Sequence, residues 1–279
     1  MKFLNFLNES LLLEGGAALK GVSRITQVEA RHSIPEIIKK VSAATGVHEN
    51  LIRRVGSAGK KPSDHDTSGD IDIAIECSPA TAQKAISELS HDGETFRSMK
   101  GINVYSFGYK INGKIVQVDL MPVEDIEYAE WSYASDPSDL KKGLKGAHRN
   151  ELLFAVTKHA HQKKIKNEKG DVVEIERLFY DLGKGLMRGK QSRVTAKGKL
   201  SKNFNTVGEK VIVSSKPDEI AKVLFGDKCS GGKLLTFDQV YKAINGEDFP
   251  HKKSRDEILT MAKEGIKNKG LSMPEQLRS

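Results

Sequence analysis

Three acidic residues and one glycine turn carry the chemistry this sequence can offer. Asp70 and Asp72 flank a single isoleucine in the run Asp70-Ile71-Asp72-Ile73. On a strand, successive side chains point to opposite faces, so the two carboxylates share one face while Ile71 and Ile73 pack beneath. Adjacent carboxylates repel unless a cation lies between them. Hard oxygen donors suit magnesium, which in turn recruits phosphates. Asp119 lies in Ile115-Val116-Gln117-Val118-Asp119-Leu120, where Val116, Val118 and Leu120 alternate inward and the acid emerges on the other face. Gly56-Ser57 supplies the complementary half. A glycine at a strand end lets backbone amides approach a phosphate, and the serine hydroxyl adds a donor. Gly59, Lys60 and Lys61 extend the same loop with freedom and positive charge. Anions held at one end and metals at the other are what two-metal phosphoryl transfer requires.

Positioning these groups needs strands and a turn. Residues 51–55 read as a short strand running into Gly56-Ser57, followed by a polar loop over 58–69 and a second strand over 70–75. Ser78-Pro79 opens a helix with Ala82, Ile86 and Leu89 on one side. The β-rich runs 102–111 and 114–121 are joined by Asn112-Gly113, and both of those residues accept the positive φ of a type I′ hairpin turn. Upstream, Ser33-Ile34-Pro35-Glu36 reads as a capping box for a helix that buries Ile34, Ile37, Ile38 and Val41 and stops before Gly46. Residues 17–32 read as linker. The fold class is α+β, with a mixed or antiparallel sheet rather than a doubly wound parallel one.

Beyond Gly146 the pattern turns mainly helical. Residues 150–161, 173–186, 217–225, 237–244 and 254–266 space their apolar side chains at helical intervals. Between Lys184 and Lys202 lie seven basic residues and no acidic one, with scattered Gly and Ser. That composition predicts a mobile loop. The expected organisation is an N-terminal amphipathic segment and linker over 1–27, a catalytic domain over 28–145 and a mainly helical basic domain over 146–279.

Charge sharpens this division. Through Leu140 there are 15 Lys/Arg against 20 Asp/Glu, and from Lys141 onward 30 against 17, within a net charge of +8. A basic surface concentrates polyanions and binds them in a salt-sensitive way. Cys77 and Cys229 show neither metal-ligand nor disulfide spacing, so a reducing interior is the simplest expectation. No apolar run approaches the ~20 residues that span a bilayer, and no membrane partner is expected. The apolar stretch 3–13 is interrupted by Asn5, Asn8 and Glu9 and has no small-residue cleavage site, so no secretory signal is expected. The expected compartment is the cytoplasm of the cell, or of a host cell.

Each motif alone is common, but their order is specific. A strand, Gly56-Ser57, Asp70-Ile71-Asp72 and a later apolar strand bearing Asp119 together resemble the nucleotidyltransferase superfamily that includes DNA polymerase β. Thr67-Ser68-Gly69-Asp70-Ile71-Asp72-Ile73 looks like the signature of the family X polymerases. The resemblance covers roughly 51–121 and extends toward Ser135 through Trp131-Ser132-Tyr133-Ala134-Ser135. It implies transfer of a nucleoside monophosphate from a nucleoside triphosphate, such as ATP, to an acceptor hydroxyl, with release of pyrophosphate. Gly56 and Ser57 would hold the triphosphate, with Lys60 or Lys61 replacing the arginine that often contacts it. Asp70 and Asp72 would bind two magnesium ions, manganese being the alternative. Asp119 would bind the catalytic ion and help deprotonate the acceptor.

There are departures from the family pattern. Neither a helix-hairpin-helix nor a thumb motif is present, so a processive, template-directed DNA polymerase is not expected. The charge asymmetry points to a nucleic-acid acceptor, an RNA or tRNA end first. Transfer to a protein or small-molecule hydroxyl, or a non-catalytic binding module on the same fold, are the alternatives. Tyr133, Ser135, His148 and Arg149 stand between nucleotide stacking or phosphate contact and packing or surface roles, and the balance favours packing or surface roles. His65, between two aspartates, reads as a solvated loop residue. His159 and His161, two apart on a helix, make a poor metal pair, and Cys229-Ser230-Gly231-Gly232-Lys233 lacks the spacing of a phosphate loop. Leu12-Leu13-Glu14 followed by Gly15 resembles the cleavage site of the prohead proteases of large tailed bacteriophages, with 3–13 as a capsid-targeting helix. That resemblance implies packaging in a virion and a mature chain beginning at Gly15.

Overall fold

The computed structural model describes residues 19–90, 104–160, 162–195 and 199–278, together with the backbone of 96–98. The apolar stretch 3–13, the Glu14-Gly15 junction and His161 lie outside the described residues. The chain divides into two compact units. One runs to Ala147 and takes in Lys267–Ser272; the other comprises His148–Ile266 and Met273–Ser279.

In the first unit, β1 (Ile25–Thr26) leads into helix α1 (Gln27–Thr45). Then follow β2 (Ile52–Arg54), β3 (Thr67–Ser68), β4 (Asp70–Glu76), α2 (Pro79–Leu89), β5 (Phe96–Ser98), β6 (Tyr105–Ile111) and β7 (Lys114–Val123). The main sheet has the order β2-β4-β7-β6-β5. Its central pair, β4 and β7, is parallel, while the remaining pairs are antiparallel, so the sheet is mixed. Helices α3 (Ile126–Ser132) and α4 (Pro137–Lys141) follow it. The β6–β7 hairpin turns at Asn112 and Gly113, with φ of 49° and 81°. Those positive values are what the Asn-Gly pair leads one to expect.

Strict alternation separates the two faces of this sheet. Ile71, Ile73 and Ile75 of β4 join Val116, Val118 and Leu120 of β7 and Phe107 of β6 in one core, covered by Ile34, Ile37 and Val41 of α1 and Ala82, Ala85 and Ile86 of α2. On the other face Ala74, Met121 and Val123 pack with Val104, Ile126 and Ala129. Glu76 accepts the Ile126 amide at 3.0 Å, anchoring the start of α3. The upper part of this second face is left to the acidic residues.

Helix α1 begins earlier than the Ser33 capping box predicts. Thr26 is the cap and Glu29 its reciprocal partner, so residues 25–32 are strand and helix rather than linker. Two boxes of the same form lie seven residues apart, and tertiary contacts select the first. Glu29 is held by Lys114 at 2.8 Å, and Thr26 sits in the β1–β3 ladder. Pro35 then lies inside the helix, where it removes one backbone hydrogen bond.

The second unit is not mainly helical. Between α5 (Gly146–His159) and α6 (Pro217–Phe225) stands a four-stranded antiparallel sheet of order β11-β10-β9-β8. Its strands are β8 (Lys163–Lys166), β9 (Val172–Asp181), β10 (Gly185–Val194) and β11 (Leu200–Ser214). The expected helix over 173–186 is therefore β9, a turn and the start of β10. Val172-Val173-Glu174-Ile175-Glu176-Arg177-Leu178-Phe179 satisfies period two as well as a helical period, and β-branched and aromatic residues favour the strand. The expected loop over 184–202 is mostly β10. Its basic side chains leave the backbone free to pair with β9 and β11. Helices α7 (Phe237–Asn245) and α8 (Arg255–Asn268) complete the chain close to their expected places. No helix among the described residues is long and apolar enough to cross a membrane.

Candidate metal centre

The parallel register of β4 and β7 sets Asp72 beside Asp119 and Asp70 beside Gln117. Each of the three aspartates offers one carboxylate oxygen, and these atoms lie within 4.8 Å of one another. Alternation sends Ile71 and Ile73 to the core and both β4 acids to the opposite face, where Asp119 also emerges. Asp119 is 1% exposed and Asp70 9%; Asp72 is half-buried. Burial, and then the negative charge of Asp70, raises the pKa of Asp119 to about 6. Two carboxylates at this spacing repel by roughly 3 kcal/mol at an effective dielectric of 20. A divalent cation among three such oxygens relieves both costs, and an all-carboxylate donor set suits magnesium or manganese rather than a softer metal.

Asp119 is held in place by a residue that the motif reading passed over. Gln117, two positions earlier on the same strand face, donates its amide to both Asp119 oxygens at 2.9 and 3.1 Å. The Gln117 carbonyl oxygen accepts the Leu19 amide at 3.1 Å, which fixes the orientation of the side chain. Strand alternation alone could have found it. Ser106 is the β6 partner of Asp119. Its buried hydroxyl makes no well-formed hydrogen bond, yet it lies close enough to act with Gln117 in lowering the pKa that burial raises.

The glycine turn reaches the same place. Gly56 has φ of 65°, and a Cβ built there would stand 1.9 Å from Oδ2 of Asp72. Glycine is therefore required twice, for its backbone conformation and for its contact with a carboxylate of the cluster. Val55 donates its amide to the Asp72 carbonyl at 3.0 Å, tying the turn to β4. Downstream, the two lysines part company. Lys60 is half-buried; burial first, then Arg54, lowers its pKa, while Asp72 is among the charges that raise it. Lys61 donates its ammonium to the Thr67 carbonyl and its amide to Gln27 at 3.0 Å. Fully buried Gln27 also donates to the Ser68 hydroxyl at 3.1 Å, so it pins both ends of the loop.

The other candidates separate from this cluster. His65 is exposed. His148 and Arg149 are buried, and the Arg149 guanidinium donates to the Leu234 carbonyl and to Asn150. Gly231–Leu234, which includes most of the Cys229 motif, forms a 3-10 turn. No protein-family profile matches the chain, and no curated protein matches it significantly.

Proposed function

We propose that the chain is a divalent-metal-dependent nucleotidyltransferase on a polymerase-β-like fold. It would move a nucleoside monophosphate from a nucleoside triphosphate to an acceptor hydroxyl, an RNA or tRNA end first. The observation that carries this reading is the convergence of Asp70, Asp72 and Asp119 within 4.8 Å, with Gly56 in a left-handed turn against Asp72. Asp70, Asp72 and Asp119 would hold the ions. Bound there, magnesium would neutralise phosphate charge and acidify the acceptor hydroxyl. The backbone amides of the Gly56-Ser57 turn and the Lys60 ammonium would orient the triphosphate. Gln117 keeps the Asp119 carboxylate aimed at the cluster, and an Asp119 oxygen would take the acceptor proton. In the step itself the acceptor oxygen bonds to the α-phosphorus, the bridge to the β-phosphate breaks, and pyrophosphate leaves.

The test is incubation with magnesium and each labelled nucleoside triphosphate, with RNA, DNA and protein offered separately as acceptors. The Asp70→Ala/Asp72→Ala variant serves as the control. Label in RNA that depends on both carboxylates supports the reading. Label in protein but in neither nucleic acid refutes the acceptor assignment. No label in any acceptor, with wild type and variant binding nucleotide alike, refutes the transferase reading and leaves a binding module.

A further inference from the structure

The sheet of the second unit sets aromatic rings and cations side by side on one face. The β9–β10 register places Arg177 opposite Gly189 and Phe179 opposite Met187, so the odd-numbered residues of these strands share that face. The Arg177 guanidinium lies 4.6 Å from the centre of the Phe179 ring, and the Lys210 ammonium, reaching over from β11, lies 4.4 Å from it. Gly189 makes this meeting possible. A Cβ there would come within 3.0 Å of Lys210 Cγ and 3.1 Å of Phe179 Cε2. Farther along, Arg193 lies 5.9 Å from the Phe204 ring and 3.5 Å from Asp171. Neither Arg177 nor Lys210 has a salt bridge among the described residues, and the buried Nε of Arg177 has no hydrogen-bond partner. Burial lowers the pKa of Arg177. Burial and then the charge of Arg177 lower that of Lys158, on α5.

Arg177, partly buried and without a salt bridge among the described residues, sharing one ring with the exposed Lys210, favours an anionic ligand. The interleaved rings narrow its chemistry. Unpaired nucleic acid presents phosphates to the cations and base faces to rings and guanidinium planes, whereas a duplex hides its base faces. An acidic protein surface would make no use of the rings.

We propose that the face carrying Arg177, Phe179, Arg193, Phe204 and Lys210 binds single-stranded nucleic acid. This deepens the acceptor side of the transferase reading and rests on it only for the strand's purpose. The full-length chain is titrated against fluorescein-labelled single strands, RNA in one arm and DNA in the other, with chelator and without nucleotide, over a series of salt concentrations. Phe204→Ala weakens binding by roughly fivefold or more. Lys210→Gln lowers the slope of log affinity against log salt by about 0.7, as one lost single-strand phosphate contact requires. Gly189→Val weakens binding without removing a charge; should it fail to fold, Lys210→Gln, at an exposed position, carries the test. Unchanged affinity and slope in Phe204→Ala and Lys210→Gln, preference for a blunt duplex, or equal competition by polyglutamate overturns the proposal. Absence of transfer by the wild type to strands that it binds in this titration counts against the transferase reading alone.

Discussion

Gly56→Ala separates two costs that the structure places on one residue. The first is conformational: φ of 65° is left-handed, and a non-glycine residue held there loses about 1–2 kcal/mol. The second is the collision of the new Cβ with Oδ2 of Asp72 at 1.9 Å, far inside the ordinary contact distance of ~3.5 Å. Asp72 has to rotate by more than an ångström, which moves one of three ligands out of the cluster. Displacement of about 1 Å at a reacting centre costs on the order of a hundredfold in rate. Gly46→Ala isolates the first cost. Gly46 caps α1 with φ of 70° and has open space where a Cβ would stand. Urea unfolding without metal is expected to show both variants less stable by about 1–2 kcal/mol. The labelled-nucleotide assay is expected to show Gly46→Ala near wild type and Gly56→Ala reduced about a hundredfold or more. If Gly56→Ala transfers at the rate of Gly46→Ala, the contact with Asp72 has no bearing on chemistry and the assignment of the turn fails.

Four further outcomes follow from the same contacts. Gln117→Ala releases Asp119 from both amide contacts and is expected to lower the transfer rate about 10–100-fold with nucleotide KM little changed; an unaltered rate would remove Gln117 from any positioning role. Lys114 and the Thr26 cap hold Glu29 down at a pKa of about 2, against 4.5 ordinarily. Its contribution is therefore complete above about pH 4.5 and lost as pH falls through about 2. Allowing for its partial exposure, Glu29→Gln loses about 1 kcal/mol at pH 7, and denaturant curves for variant and wild type converge near pH 2. Arg149→Met deprives the buried Leu234 carbonyl of its donor and costs about 2–5 kcal/mol; a thermal midpoint equal to wild type would contradict that. If the Leu12-Leu13-Glu14 motif is cut as its resemblance implies, mass spectrometry of virions finds a chain beginning at Gly15, and intact Met1 there would exclude it.

How far the fold could be read in advance depended on how many signals agreed. At β4, β6 and β7 the alternation of apolar residues, the Asn112-Gly113 turn and the acids on the opposite face all pointed one way, so strands, hairpin and shared carboxylate face were legible. At α1 two capping boxes were available, Thr26-Gln27-Val28-Glu29 and Ser33-Ile34-Pro35-Glu36. Lys114, 85 residues from Glu29 in sequence, and the β1–β3 ladder at Thr26 decide between them. In the second unit β9 satisfied two periods at once. Most of its residues are only partly buried, so the apolar alternation that marks a half-buried strand is faint. In β10 basic residues masked the strand for the same reason: their stems can lie on a sheet while their charges reach water. The candidate site follows the same rule. Asp70 and Asp72 are neighbours on one strand, and Gln117 stands in the same relation to Asp119, so each pair is visible from spacing alone. That Gly56 touches Asp72 requires the antiparallel pairing of β2 with β4, and that Asp72 lies beside Asp119 requires the parallel pairing of β4 with β7. No local pattern encodes that pairing, because helix α2 and strands β5 and β6 separate the two strands in the chain. The glycine's reason for being glycine thus lies in the tertiary structure, although its presence at the end of a strand was plain.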